Sequence, residues 1–163
     1  MSTKSAQLQI RVTPAEKAAL AREAKRAGCD VSALVLARAL PRTDERLRQV
    51  VRALATAADP RYLLAEVHDL LHAAAGFEFA SLVADLPVQR LDPWLQNYVT
   101  AMVELAAAQR GVQPPAWTTD VAPLRVPWFA SELRSLRQHL LTTAPVPFKR
   151  RNLFVDASVG ARV

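Results

Sequence analysis

Residues Gln7 to Leu40, QLQIRVTPAEKAALAREAKRAGCDVSALVLARAL, are the stretch whose reading decides the fold. Leu8, Ile10 and Val12 alternate with Gln7, Gln9 and Arg11, the two-residue period that gives an extended strand one apolar and one polar face. A strand this short cannot bury its apolar face alone, and no second strand follows at hairpin distance. Its simplest partner is the same strand of another copy. Thr13-Pro14-Ala15-Glu16 then has the capping-box pattern, which predicts a helix starting at Pro14. Leu20, Ala24 and Ala27 form the small apolar face of that helix. Lys17, Arg22, Glu23, Lys25 and Arg26 form its wet face, and Gly28 its stop. A second helix is predicted with Ser32 as its cap and Leu34, Val35 and Leu40 on its buried side, and Pro41 bars simple continuation.

At these residues the chain resembles the ribbon-helix-helix (Arc/MetJ-type) DNA-binding family, and especially its toxin-antitoxin antitoxins. The strand, the capping box, Gly28 and Ser32 all fall at the family spacing, over about the first quarter of the chain. The resemblance implies an intertwined dimer whose two-stranded ribbon enters the DNA major groove. Carried over by position, Gln7, Gln9 and Arg11 are the outward strand residues that read bases. Ser32, with the Ala33 amide, is the helix start that holds a phosphate.

The chemistry of those residues fits such a role. Arg offers a bidentate fork to guanine and Gln a donor-acceptor pair to adenine, whereas phosphate contact needs only charge. Lys4, ahead of the strand, is of the latter kind. Charge along the chain is uneven: residues 1–55 carry eleven Lys or Arg against five acids, 59–132 four against nine, and 133–163 six against one. The basic N-terminal block suits a DNA-contacting end, and the acidic middle should stay off DNA.

With 51% hydrophobic and 22% charged residues the composition is that of a folded chain, and no apolar run approaches a bilayer-spanning length. The polar Met1-Ser-Thr-Lys-Ser-Ala lacks the apolar core of a secretion signal. A single cysteine, Cys29, excludes an internal disulfide and fits a reducing compartment. The expected setting is cytoplasmic, at the nucleoid when DNA is bound, with no membrane contact.

The expected fold is mostly α: a ribbon-helix-helix module at 1–42, a linking helix at 43–58 and a helical partner-binding domain at 59–163 with proline-rich loops. Leu47, Val50, Val51 and Leu54 give the linking helix, Thr43 to Ala58, its apolar side. Asp59-Pro60 is read as a cap followed by a first-turn proline, opening a helix through Leu63, Leu64, Val67, Leu70 and Leu71 to Gly76. A short apolar run, Phe77 to Leu86, follows. Asp92-Pro93 then opens another helix, through Trp94, Tyr98, Val99 and Met102 to Gly111. Beyond Val112 six prolines leave room for one predicted helix, Ser131 to Leu141.

Large aromatics lie among those prolines. The patches PPAW at Pro114 to Trp117, PWF at Pro127 to Phe129 and FKRRNLFVDAS at Phe148 to Ser158 resemble the C-terminal part of small bacterial regulators encoded beside nucleotidyltransferase-like toxins. That resemblance implies a partner-binding domain, with Trp117, Trp128, Phe129, Phe148, Lys149, Arg150, Arg151 and Phe154 as its candidate contacts, since aromatic and arginine side chains anchor interfaces.

Catalysis has little to stand on. His68-Asp69-Leu70-Leu71-His72 sets two histidines one helical turn apart, as in a zinc protease, but with aspartate in place of the glutamate base and only His139 remaining as a third histidine. There is no nucleophile elbow or glycine-rich phosphate loop, and the chain has four glycines. The expectation is a non-enzyme without cofactor or metal. It is an antitoxin-like repressor that binds operator DNA as a homodimer and neutralises a cognate toxin through its C-terminal domain. The alternative is a regulator whose C-terminal domain senses a small ligand.

Overall fold

Thr13 and Glu16 close the start of the first helix as their spacing requires. The Thr13 amide donates to Glu16 Oε2 at 2.7 Å and the Glu16 amide donates to Thr13 Oγ1 at 3.3 Å. Helix α1 therefore runs Pro14–Arg26, with Ala24 buried on its inner face and Lys25 and Arg26 in the last turn, where cations favour the carbonyl end. The computed structural model describes residues 9–26, 30–32, 34–35, 43–74 and 76–157, and the chain divides into two units, Met1–Arg42 and Thr43–Val163.

In the first unit, residues 9–13 are neither helical nor paired as a strand. Only part of the expected strand, Gln9 to Val12, lies among the described residues, and a single chain offers its backbone no neighbouring edge. Ile10 is 58% and Val12 43% exposed in consequence. After α1 the chain is helical again at Val31, Ser32, Leu34 and Val35, and the Leu34 amide donates to the Asp30 carbonyl at 3.0 Å. Asp30 thus occupies the cap position. Ser32, expected to be that cap, stands inside the first turn, because the residue whose carbonyl takes the first helical bond is two positions earlier.

The second unit opens with α2, Thr43–Leu54, which stops short of the expected Ala58 as the chain tightens after Leu54. Leu47, Val50, Val51 and Leu54 are all buried, so this helix is built into the core of the second unit. Arg46 on α2 reaches Glu66 on the next helix, Nε to Oε1 at 2.6 Å. That helix, α3, spans Arg61–Ala73. Pro60 sits at its cap without a side-chain bond, while Asp59 takes the Arg61 amide at 3.1 Å and grips the Arg61 guanidinium. Helix α3 ends before the expected Gly76, and the apolar run that follows forms α4, Gly76–Val83.

The central element is α5, Pro93–Gln109, whose buried residues run from Leu95 to Ala107 around much of its circumference. Asp92 caps it as expected, accepting from the amides of Trp94 and Leu95 at 2.8 and 2.9 Å. At its other end Gly111 has φ 66°, while the Val112 amide reaches back to Ala107 and the Gly111 amide to Ala108, both at 3.1 Å. This double bond pattern needs a left-handed residue, and glycine supplies it without steric cost.

The proline-rich end folds as loops around short elements. Single 3-10 turns lie at Val88–Arg90 and Ala116–Asp120. The expected Ser131 to Leu141 helix is α6, Arg134–Thr143, followed by α7, Val146–Arg150. Two-residue strands β1, Trp128–Phe129, and β2, Leu153–Phe154, pair in parallel, with Trp128 opposite Leu153 and Phe129 opposite Phe154. Helix α5 packs on α3 and α7, and α2 packs on α3 and α4, around a common apolar core. Among the described residues no helix is long and apolar enough to cross a membrane.

Candidate nucleic-acid interface and the Arg151 corner

The candidate DNA-contacting residues follow from how α1 begins. Thr13 and Glu16 bond to each other at the start of the helix, and the described residues just before it, Gln9 to Val12, are exposed and outside any helix. Gln9 and Arg11 are exposed there and alternate along the chain with the exposed Ile10 and Val12, the period that would put the two pairs on opposite faces once the segment is paired as a strand. The Thr13 hydrogen bonds hold the Glu16 carboxyl below the usual carboxylate range, the backbone bond contributing most. The negative charge therefore stays on Glu16 at neutral pH, committed to the helix start. Lys17, Arg22, Lys25 and Arg26 are exposed along α1, with Arg26 paired to Glu23 at 2.9 Å. Ser32 is exposed in the first turn of the following helix. Lys4, Gln7 and Ala33, the other expected DNA contacts, lie outside the described residues.

The eight candidate partner contacts of the second unit divide sharply by burial. Phe148 is fully buried, edge-on to Tyr98 with ring centroids 5.2 Å apart, and the burial of Tyr98 raises its phenol above its ordinary pKa. Trp128 meets Trp94 edge-on at 5.1 Å, and Trp117 donates its indole N–H to the Val83 carbonyl at 2.8 Å, closing the end of α4. These three are side chains of the core and its margin, because large aromatic area goes inside wherever loops allow it. Phe129 and Phe154, paired across the β1–β2 ladder, stack at 4.9 Å and remain half-buried, with the Arg137 guanidinium 5.1 Å from the Phe129 ring. Lys149 donates to the Thr142 carbonyl at 2.8 Å, and Arg150 is exposed.

Arg151 departs furthest from the expectation of a contact surface. It is 5% exposed, and all five of its N–H donors are taken. Nε and Nη2 bond to Glu104 at 3.1 and 2.5 Å, Nη1 to Asn97 Oδ1 at 3.3 Å and the Val121 carbonyl at 3.0 Å, and Nη2 also to the Thr118 carbonyl at 2.7 Å. Asn97 in turn donates to the carbonyls of Pro93 and Ala122. One guanidinium thereby fastens the 116–124 loop onto α5, an internal use of the planar five-donor fork. Beside it Asn152, at φ 58°, donates through its side chain to the Leu124 carbonyl at 2.7 Å.

A second clamp had no sequence signal. Arg110, just past the end of α5, donates through Nη2 to the carbonyls of Leu71, His72 and Ala74 at 2.6, 3.2 and 3.1 Å, and its guanidinium lies 4.8 Å from the Phe79 ring. The bonds satisfy carbonyls that the last turn of α3 leaves open and place a cation at the negative end of that helix. The histidine pair His68 and His72 stacks on α3 with ring centroids 4.2 Å apart. Among the described residues, no group of three or more His, Cys, Asp or Glu could hold a metal ion.

Residues 2–60 match the model of the NikA-like family, described as mobilization protein NikA. The match covers the strand, helix and helix pattern and supports a DNA-binding N-terminus of ribbon-helix-helix type. It takes in α2 and ends before α3. No curated protein and no solved structure matches the chain.

Proposed function

We propose that the chain is a site-specific DNA-binding protein that acts as a dimer. Its Gln7 to Val12 segments pair into a two-stranded ribbon that enters the major groove, and its second unit, Thr43–Val163, brings a protein partner to the bound site. The observation that carries this reading is the exposed Gln9 to Val12 segment held out from α1 by the Thr13–Glu16 box. Its alternate side chains are suited one set to a dimer core and the other to base edges. The similarity of residues 2–60 to mobilization proteins points in the same direction and favours a DNA site used in mobilization. Repression of an operator uses the same ribbon chemistry.

The partner surface proposed for the second unit is Phe129, Phe154, Arg150 and Lys149, with Phe148 and Arg151 supporting it from inside. Toxin neutralisation is the second reading, favoured by the likeness of the PPAW, PWF and FKRRNLFVDAS patches to regulators encoded beside nucleotidyltransferase-like toxins. The test is selection of binding sites from a random duplex library with the full chain, followed by sedimentation with the selected duplex. Two chains per duplex and a twofold-related pair of half-sites are expected. A selected pool without sequence preference, or one chain per duplex, would refute the reading.

A further inference from the structure

Helix α6 is covered by its own fold over little more than one turn. Of its ten residues Leu140 alone is buried, and its main packing partner is β2. A free helix of this length is marginal in water, so what it packs against must hold it. Leu136 stands one turn before Leu140, and Leu133, at the cap, three residues before Leu136, so the three leucines share one stripe along the helix. The stripe begins in solvent: Leu133 is 63% and Leu136 42% exposed. Arg137, one turn on from Leu133, has its guanidinium 5.1 Å from the Phe129 ring, which sets that side of α6 beside the half-buried Phe129 and Phe154 stack. The uncovered leucines therefore lie on the side that α6 turns toward the β1–β2 ladder, next to two aromatics that are themselves only partly covered.

We propose that this face of α6 is a docking groove for an acidic amphipathic helix of a protein partner. The proposal rests on the reading that the second unit binds a protein, and it names the chemistry that the unit selects. Charge decides the occupant. Helix α6 carries Arg134 and Arg137 and no acid, and among the described residues neither arginine has an ion-pair partner. Residues 133–163 hold six Lys or Arg against one acid, Asp156, which faces His139 at 3.4 Å; Glu132, just ahead of the cap, is the next acid along the chain. A second copy would set the same arginines against each other, with like-charge repulsion. Nucleic acid would meet the arginines and leave the leucines in water. A bilayer surface is flat, whereas Leu133 and Leu136 share the stripe of the inward Leu140, where an inserted rod reaches them and a plane does not. An added strand is disfavoured too, because Pro127, next to β1, has no amide to give it. A helix with apolar residues at three- and four-residue spacing matches the leucine stripe, and Asp or Glu beside them meets Arg134 and Arg137.

The test is selection of binders to the full-length protein from a displayed library of random peptides several helical turns long, followed by fluorescence anisotropy with the enriched peptides as synthetic probes. Enriched peptides are expected to carry Asp or Glu beside apolar residues at helical spacing, and to gain helical circular dichroism on binding. The double variant Leu133→Asn with Leu136→Asn changes exposed side chains and should weaken them by about tenfold or more, and Arg134→Glu with Arg137→Glu should do the same. Circular dichroism establishes that each variant is folded. Duplex binding, measured in parallel, should equal the parent's in both variants, so a loss of peptide binding with duplex binding intact is read on the groove alone. The proposal is overturned if no peptide is enriched, if the enriched peptides lack acids, or if both folded variants bind them as tightly as the parent. It is equally overturned if vesicles of phosphatidylserine, and not peptides, take up the chain through these residues, or if the leucine variant lowers the oligomeric state in sedimentation, which would make the occupant a second copy.

Discussion

Arg151 and Glu104 meet through a two-pronged ion pair, Nε to Oε2 at 3.1 Å and Nη2 to Oε1 at 2.5 Å, with side chains only 6% and 18% exposed. The pair joins the turn before β2 to the middle of α5, and the same guanidinium holds the Thr118 and Val121 carbonyls. An arginine in a basic, aromatic-rich run is thus an internal fastener. Its neighbour Arg150 stays in water.

Removing the fastener should be costly, because it strands a shielded carboxylate and two loop carbonyls. Arg151→Met is expected to destabilise the chain by about 3–5 kcal/mol in urea unfolding. Glu104→Gln keeps one accepting oxygen and should cost less. A loss for Arg151→Met below what surface substitutions give would show that the network contributes little.

Arg110 makes a second, independent prediction. Arg110→Lys keeps the charge but not the fork over the Leu71, His72 and Ala74 carbonyls, and is expected to cost about 1–3 kcal/mol, measured in the same way. Backbone amide exchange should speed up at the C-terminal turn of α3 and the start of α4 before elsewhere. Uniform acceleration across the unit would contradict the local role.

Much of this architecture was legible where local chemistry decides it. Thr13 with Glu16 and Asp92 before Pro93 are helix-start signals satisfied by atoms a few residues apart, so their reading needs no tertiary context. Ser32 misled because Asp30 is an equally good cap residue two positions earlier, and the hydrogen-bond register alone chooses between them. Arg151 and Arg110 could not be read, since their partners lie 47 and 39 residues away and nothing in a basic run marks which member turns inward. Phe148 was open to two readings for the same reason: an aromatic among prolines serves either a core or a surface, and only packing tells which.

The Glu16 carboxyl gives a pH-dependent prediction. Its pKa in the folded chain is lowered by the Thr13 backbone and side-chain bonds, so the contribution of the box is present above the ordinary carboxylate pKa and is lost as pH falls through the lowered one. The Thr13 amide resonance should therefore titrate in the acid range, below the usual carboxylate midpoint, and Glu16→Gln should remove that transition. A Thr13 amide that titrates at the ordinary carboxylate midpoint would mean that the box is open in solution.

Ile10 and Val12 are exposed at 58% and 43% in a single chain, and pairing of two copies would cover them. Ile10→Asp is expected to shift the full-length protein from dimer to monomer in sedimentation velocity at micromolar concentration, with the helical circular dichroism of the second unit retained. A parent protein that sediments as a folded monomer, or an Ile10→Asp variant that remains dimeric, would contradict the ribbon.

Base reading by the ribbon is the central claim, and the most direct measurement is the affinity of the parent and Arg11→Ala for a selected duplex and its scrambled counterpart across a salt series. Arg11→Ala should lose about 1–3 kcal/mol on the selected duplex, with its preference relaxed at one position per half-site, and much less on the scrambled one. Lys4→Ala should weaken both alike and flatten the salt dependence, as the loss of a phosphate contact does. Equal losses on both duplexes for Arg11→Ala, or an affinity it leaves unchanged, would contradict the account.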